Sequence, residues 1–242
     1  PVMTPLNSPL KLPVTACSIR PWRHFAGGAL WAAKLQPDLP ILGTPTQPSS
    51  GHRYMERFAR TVLGDVAADD LGSVLAHEHL IIDFSCRLSD ENLLERADRE
   101  FDISQRWLLV ENPASDIRNL VRDSVEDSID ELAPFADAGG RTIVDVTTQG
   151  LGPNRSALQE VATRSGLNII AGTGFYVHRC HTDVVHEASA EELAEVMIRD
   201  LCEGDATGAR AGVIGEIGVD GPETCEIKTV DATAIASRVT GA

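Results

Sequence analysis

His77 and His79, two residues apart in the run Leu75-Ala76-His77-Glu78-His79-Leu80, have the strongest claim to chemistry in this sequence. Successive side chains of a strand point to opposite faces, so the two histidines share one face and Glu78 points to the other, where it reads as structural. Two imidazoles at the C-terminal end of a strand can hold one divalent cation, and neutral imidazole suits zinc. Two partly buried histidines that only pack would show the same spacing, so the motif alone leaves both readings open. Glu216 is the second candidate. It interrupts the apolar, glycine-rich run Gly212-Val213-Ile214-Gly215-Glu216-Ile217-Gly218 with a single carboxylate. Burying that charge without a partner is costly, a cation would stabilise it, and the glycines on either side let a ligand approach. The plainer alternative is an exposed carboxylate at a loop edge. Asp145 ends the run Thr142-Ile143-Val144-Asp145 in the same manner, either supporting a ligand by hydrogen bonding or serving structure alone, and Thr147 and Thr148 are similar. His178, Cys180, His181 and His186 crowd one further segment, and their spacing is not that of a zinc finger. We read this segment as a mobile substrate loop, with Phe175, Tyr176 and His178 binding substrate, in preference to a second metal site.

The elements that must position these groups follow from periodicity. Thr61–Val66 and Ser73–Ile82 read as strands joined in a small hairpin around Ala68–Gly72. Residues 85–112 are mixed and charged, which suits a long loop with a helical piece. Ile117, Leu120, Val121, Val125, Ile129 and Leu132 recur at helical spacing, so a helix is expected from a Ser115 cap to Ala138, stopped by Gly139-Gly140. Strand and helix patterns then alternate: strand 141–147, helix from an Asn154 cap to Arg164, strand 168–172, helix from a Ser189 cap to Glu203, strand 211–217, and a last helix opened by Pro222. Such alternation means parallel strands with right-handed crossovers, in a doubly wound sheet or a barrel. No GxGxxG follows the first strand, so a dinucleotide site has no support. Residues 1–58 differ: proline-rich and without a sustained period, they read as an irregular or disordered segment ahead of a domain over 59–242.

Bulk composition narrows the function classes. The 242 residues are 43% hydrophobic, enough for a sizeable core, and carry a net charge of −15. That charge repels nucleic acid and anionic lipid, so neither is expected as a partner. No apolar run reaches the length of a membrane span. The five cysteines are odd in number, scattered and without a CxxC pair, which reads as reduced thiols in a cytoplasmic protein. The chain begins with Pro1 rather than Met, as a fragment or processed product would.

Several of these runs, taken in order, resemble the phosphotriesterase family of the amidohydrolase superfamily. Thr61-Val62-Leu63-Gly64 followed by Leu75-Ala76-His77-Glu78-His79-Leu80 resembles the family's opening. Ala138-Gly139-Gly140-Arg141-Thr142-Ile143-Val144-Asp145-Val146-Thr147 is similar to its second strand, Ala171-Gly172-Thr173-Gly174-Phe175-Tyr176 to its third, and Ala211-Gly212-Val213-Ile214-Gly215-Glu216-Ile217-Gly218 to its fourth. The resemblance implies an α/β fold of the (β/α)8 TIM-barrel type, here reaching only about the fourth strand and helix. It implies two divalent metal ions, in the first instance zinc, with His77 and His79 on the more buried ion and Glu216 in the place of the bridging ligand. It also implies hydrolysis of a small-molecule ester, whether phosphotriester, lactone or a related ester. The family draws further histidines from strands five and six and an aspartate from strand eight, and the sequence stops at Ala242 before them. One metal site is therefore expected to be incomplete and the 242 residues alone inactive or nearly so. The alternatives are a non-catalytic metal-binding or self-associating half-barrel, with a homodimer as the partner, and an amide-hydrolysing relative.

Overall fold

The computed structural model describes residues 57–88, 103–221 and 223–242. Most of the proline-rich segment, residues 89–102 of the charged stretch, and Pro222 lie outside them.

The first hairpin turns earlier than expected. Strand β1 (Phe58–Thr61) pairs antiparallel with β2 (Gly64–Ala67), so the turn lies at Val62-Leu63 rather than around Ala68–Gly72. Local hydrogen bonding decides this. The Thr61 hydroxyl donates to the Gly64 carbonyl (2.8 Å) and accepts from Leu63 N–H (3.2 Å), and Arg60 Nε reaches Asp65 Oδ1 at 2.8 Å across the pair. Strand β3 (Ser73–Glu78) then leaves the hairpin for the main sheet.

A short antiparallel pair, β4 (Ile82–Asp83) with β5 (Val121–Arg122), follows β3 and encloses helix α1 (Arg106–Glu111). The single helix expected from Ser115 is therefore split. Asp116 caps a 3-10 turn at Ile117–Asn119, Val121 pairs with Asp83, and helix α2 (Val125–Asp137) starts only at Ser124, whose hydroxyl accepts from Asp127 N–H at 3.1 Å. Three cap-forming residues, Asn112, Asp116 and Ser124, compete along a stretch whose apolar spacing fits one helix, and each takes its own short turn or helix.

The rest follows the expected alternation. Strands β6 (Gly140–Asp145), β7 (Asn168–Thr173) and β8 (Val213–Ile214) join β3 in one parallel sheet of order β3-β6-β7-β8. The order is sequential, with no reversal of the kind that marks a doubly wound sheet, so the sheet is a half-barrel. Helix α3 (Arg155–Ser165) is capped by Asn154 and ended by Gly166 at φ 72°. A short helix α4 (Asp183–Glu187) precedes α5 (Ala190–Cys202), which opens with a full capping box between Ser189 and Glu192. Helix α6 (Thr224–Thr240) follows β8. None of the helices of the described residues is long and apolar enough to cross a membrane.

Two clusters fasten helices to sheet. Leu132 of α2 and Leu158, Val161 and Ala162 of α3 pack on Ile143 and Ile169. Leu193, Ala194 and Met197 of α5 pack with Ala232 and Ala236 of α6 and with Phe175. Each fully buried aliphatic side chain of this kind contributes about 2 kcal/mol by leaving water. A partly buried Arg155–Asp200 pair at 2.7 Å ties α3 to α5, and the Thr173 hydroxyl donates to the same carboxylate.

The cysteines correct the expectation of scattered reduced thiols. Cys86, after β4, and Cys180, after β7, form a disulfide across 94 residues of sequence, embedded among Leu151, Val177, Phe84 and Tyr176. Each cysteine lies in its own 3-10 turn, and the two turns pack together, which sequence spacing does not show.

Candidate metal centre

The parallel register sets the site. Glu78 of β3 stands beside Asp145 of β6, and Val146 N–H donates to the Glu78 carbonyl at 3.0 Å, which aligns the ends of the two strands. Past that end, Asp145 uses both carboxylate oxygens on backbone: Oδ2 accepts from Leu80 N–H at 2.7 Å and Oδ1 from Thr147 N–H at 3.0 Å. Burial pushes the Asp145 carboxyl up, and the N–H donors at Leu80, Thr147 and Ile81 oppose that rise. Asp145 thus braces the segment that bears His79 against the residue that touches it. The Thr147 hydroxyl lies 3.0 Å from His79 Nδ1. With Nδ1–H donating there, Nε2 keeps its lone pair for a ligand.

Glu216 reaches the same place from β8. Gly215 N–H donates to the Thr173 carbonyl at 2.8 Å and Glu216 N–H to the Val146 carbonyl at 3.3 Å, so the backbone is seated across the ends of β7 and β6. This seating explains Gly172 and Gly218, while Gly215 has open space at its Cβ position and a φ of 150°. A Cβ at Gly172 would stand 2.0 Å from the Gly215 carbonyl, and one at Gly218 would stand 2.5 Å from Val177 N. Backbone approaches backbone at these points, which only glycine permits.

His77, His79 and Glu216 converge. His77 Nε2 lies 3.3 Å from Glu216 Oε2, His79 Nε2 lies 3.4 Å from Glu216 Oε1, and one ligand atom from each of the three falls within 4.8 Å of the others. Among the described residues this is the one set of three or more His, Cys, Asp or Glu side chains gathered closely enough to share a metal ion. The donor set fits such an ion. Ligand atoms each about 2 Å from a tetrahedral zinc stand about 3.3 Å apart, and imidazole nitrogen with carboxylate oxygen is an ordinary zinc combination. Burial pushes the His79 ring below its usual range and His77 adds to this, against the pull of Glu216 and Glu78, a direction that favours the neutral ring a metal needs. His77 is 60% exposed, which leaves one side of the trio open to a substrate.

The other candidates separate. Phe175 does not line the mouth: it is 3% exposed and packs between α5 and α6 in the core. Its apolar character served packing, and the turn after Gly174 sends its neighbour the other way. Tyr176 does lie at the mouth. Its ring meets Phe84 edge-on at 5.7 Å, and its hydroxyl is raised by burial and by the charges of Glu216 and Asp220, against the opposing effect of Arg87. Arg87 itself lies 3.6 Å from Asp220 and 6.0 Å from the Phe84 ring. His178 is 42% exposed, with Nδ1 3.4 Å from Glu226. The histidine segment makes no second metal group among the described residues: Cys180 is in the disulfide, and His181 Nε2 contacts the Tyr176 carbonyl at 2.5 Å. That segment is bonded to its neighbours at Cys180 and His178.

Glu226 is a residue that sequence reasoning missed. It is wholly buried, and its carboxylate accepts from the backbone N–H groups of His178, Asp220 and Gly221. An acidic residue in the first turn of a helix is common for dipole and capping reasons, so nothing in its sequence position marks it out.

Comparison with known proteins agrees with this geometry. The model of the Phosphotriesterase family matches residues 58–242. The N-acetyltaurine hydrolase of Salmo salar is 36% identical over 190 residues, covering 75% of this chain and 54% of the relative. Among solved structures, the resiniferatoxin-binding protein from Rhodobacter sphaeroides superposes with a TM-score of 0.71 at 31% identity, covering 76% of this chain and 53% of that one. The organophosphorus hydrolase from Deinococcus radiodurans gives 0.56 at 29% identity, covering 80% and 54%. The chain spans about half the length of the relatives it matches. With a parallel half-barrel, a His-His-Glu group that could bind a metal at its mouth, and a family match over three quarters of its length, this chain belongs to the phosphotriesterase family.

Proposed function

We propose that this chain carries part of a metal-dependent hydrolase in which His77, His79 and Glu216 hold a divalent ion, zinc in the first instance, and that the bond cleaved is the amide of a small N-acyl compound with an anionic tail. The observation that carries the reading is the convergence of two imidazoles and one carboxylate at the open end of the sheet. When bound, a divalent ion there supplies a water nucleophile of lowered pKa and polarises the scissile carbonyl. The chain's own groups do the rest. Thr147 fixes the His79 ring, Asp145 holds the backbone on either side, and the Tyr176 phenol is raised by burial and by the charge of Glu216. Arg87 offers a guanidinium beside Tyr176 for an anionic tail. Its partner Asp220 is 56% exposed, and an exposed pair of this kind holds by about 1 kcal/mol or less, so a ligand can displace it.

The amide reading draws support from the N-acetyltaurine hydrolase of Salmo salar, 36% identical to this chain. An ester reading, in which a phosphotriester, a lactone or a related ester is cleaved, draws on the organophosphorus hydrolase at 29% identity. The resemblance implies two ions; the described residues of this chain offer one trio, so one tightly held ion per chain and low turnover are expected of the 242 residues by themselves. The Cys86–Cys180 bond weighs against the cytoplasmic location expected from the sequence, since disulfides persist mainly in oxidising compartments.

The test is a cobalt or zinc titration of the chain and of its His79→Ala variant, followed by hydrolysis assays with N-acetyltaurine, a lactone and paraoxon. One ion per chain, lost in the variant, and preference for the amide are expected. Metal uptake that is unchanged in the variant would refute the site, and turnover of esters alone would replace the amide by the ester reading.

A further inference from the structure

Glu226 sits in the first turn of α6 with no exposure to solvent. Burying a carboxylate costs several kcal/mol unless its lone pairs are met. Here they are met by two separate loops. Oε1 accepts from His178 N–H at 2.9 Å and Asp220 N–H at 3.1 Å, while Oε2 accepts from Asp220 N–H at 3.2 Å and Gly221 N–H at 3.0 Å. His178 Nδ1 stands 3.4 Å from Oε1. His178 follows β7 two residues after Tyr176, and Asp220 follows β8 four residues after Glu216. The segment that carries Glu216 is thus fixed at one end by the sheet, through Gly215 and Glu216 N–H, and at the other by Glu226. A third bond, Gly218 N–H to the Phe175 carbonyl at 3.2 Å, joins the two loops between these anchors.

We propose that Glu226 is the positioning residue of the metal centre: its buried carboxylate fastens the loops after β7 and β8 to α6 and thereby aims Glu216 at His77 and His79 and Tyr176 at the mouth. Both oxygens face N–H donors, so the role needs the carboxylate and not merely its shape. In Glu226→Gln one of the two becomes an NH2 group. Whichever way the amide turns, at least one of His178, Asp220 and Gly221 then presents its N–H to another donor. The inference rests on the proposed metal-binding reading of His77, His79 and Glu216.

The experiment compares the 242-residue chain with Glu226→Gln and with Thr229→Val. Thr229 is buried on the same helix and donates its hydroxyl to the Glu226 carbonyl, so its loss loosens α6 without touching either loop. Cobalt affinity is measured by competition with a chelator, folding by circular dichroism, and the amides of His178, Asp220 and Gly221 by hydrogen exchange. Glu226→Gln is expected to stay folded, to weaken cobalt binding about 10- to 100-fold and to free those amides, as loss of an outer support of a metal ligand does. Thr229→Val is expected to lower stability with cobalt affinity unchanged. Unchanged affinity and protected amides in folded Glu226→Gln would overturn the proposal, as would equal loss of affinity in both variants. If Glu226→Gln does not fold, exchange in the unmodified chain decides: protection of these three loop amides supports the clamp, and exchange at unfolded rates refutes it. A chain that binds no cobalt at all refutes the proposed function, and the loop amides then judge the clamp alone.

Discussion

His79 meets Glu216 through Nε2 and Thr147 through Nδ1, and these two contacts divide the tasks of ligation and orientation between the ring's nitrogens. Replacing Thr147 by valine keeps the volume and the backbone N–H that Asp145 accepts, and removes only the hydroxyl. The ring is then free to turn and to present its other tautomer. Thr147→Val is therefore expected to weaken cobalt or zinc binding about tenfold and also to lower the melting temperature, since the same hydroxyl bonds the buried Asp145 carboxylate, read by chelator competition beside a melting curve. A variant that binds metal as the original does would show that packing alone orients the ring. At this scale the sequence was informative where chemistry depends on spacing along one strand. Positions 77 and 79 share a face by the geometry of any strand, and a lone carboxylate in a glycine-rich apolar run asks for a partner. It was silent where chemistry depends on register. That Thr147 stands beside His79 follows from the alignment of Glu78 with Asp145, and that Phe175 turns into the core while Tyr176 turns out follows from the backbone after Gly174.

Helices α3 and α5 were legible at their ends because Asn154, Ser189 and Gly166 act on groups within a turn of themselves. The early hairpin and the start of α2 were not, since several short polar residues compete there and long-range strand pairing selects among them. The loops that shape the mouth were the least legible, because the Cys86–Cys180 bond and the Glu226 contacts join residues 94 and 48 positions apart. The second of these links makes the loops sensitive to acid. Burial pushes the Glu226 carboxyl up, but the N–H donors at His178, Asp220 and Gly221 outweigh it and hold the group down from 4.5 to about 2. A carboxyl lowered in the folded state stabilises the fold fully above its unfolded value, and that contribution fades as pH falls from 4.5 toward about 2. Asp145 has the opposite sign: burial raises it, so its ionisation opposes folding as pH rises and cannot produce the same acid loss. Urea midpoints of the chain and of Glu226→Gln should thus lie well apart at neutral pH and approach each other below 4.5. A gap that stays constant down to the lowest pH would mean that the carboxylate's charge contributes nothing.

Across the whole molecule, the described residues present apolar surface on the first strand of the four-stranded sheet and on the last helix. On β3, the first strand of the order, Val74 and Leu75 are 43% and 39% exposed; on α6, which follows the last strand, Ile227 and Val230 are 55% and 45% exposed. Ile227 and Val230 are three residues apart and so share one helix face. Strand edges without a partner among the described residues and apolar helix faces invite pairing, and two unlike patches favour head-to-tail contact, which need not stop at a dimer. The net charge of −15 acts against this by repulsion between copies. The balance yields a definite salt dependence. At low ionic strength repulsion reaches about 30 Å and keeps copies apart, while near 1 M salt it is confined to about 3 Å and the apolar contacts prevail. Light scattering of the eluting chain should therefore give a mass that rises with protein concentration and with sodium chloride. Ile227→Glu together with Val230→Glu should return it toward the monomer without loss of helix content. If association falls as salt is added, the contact is made by opposite charges and not by these faces; if the double substitution leaves it unchanged, the β3 edge alone is responsible.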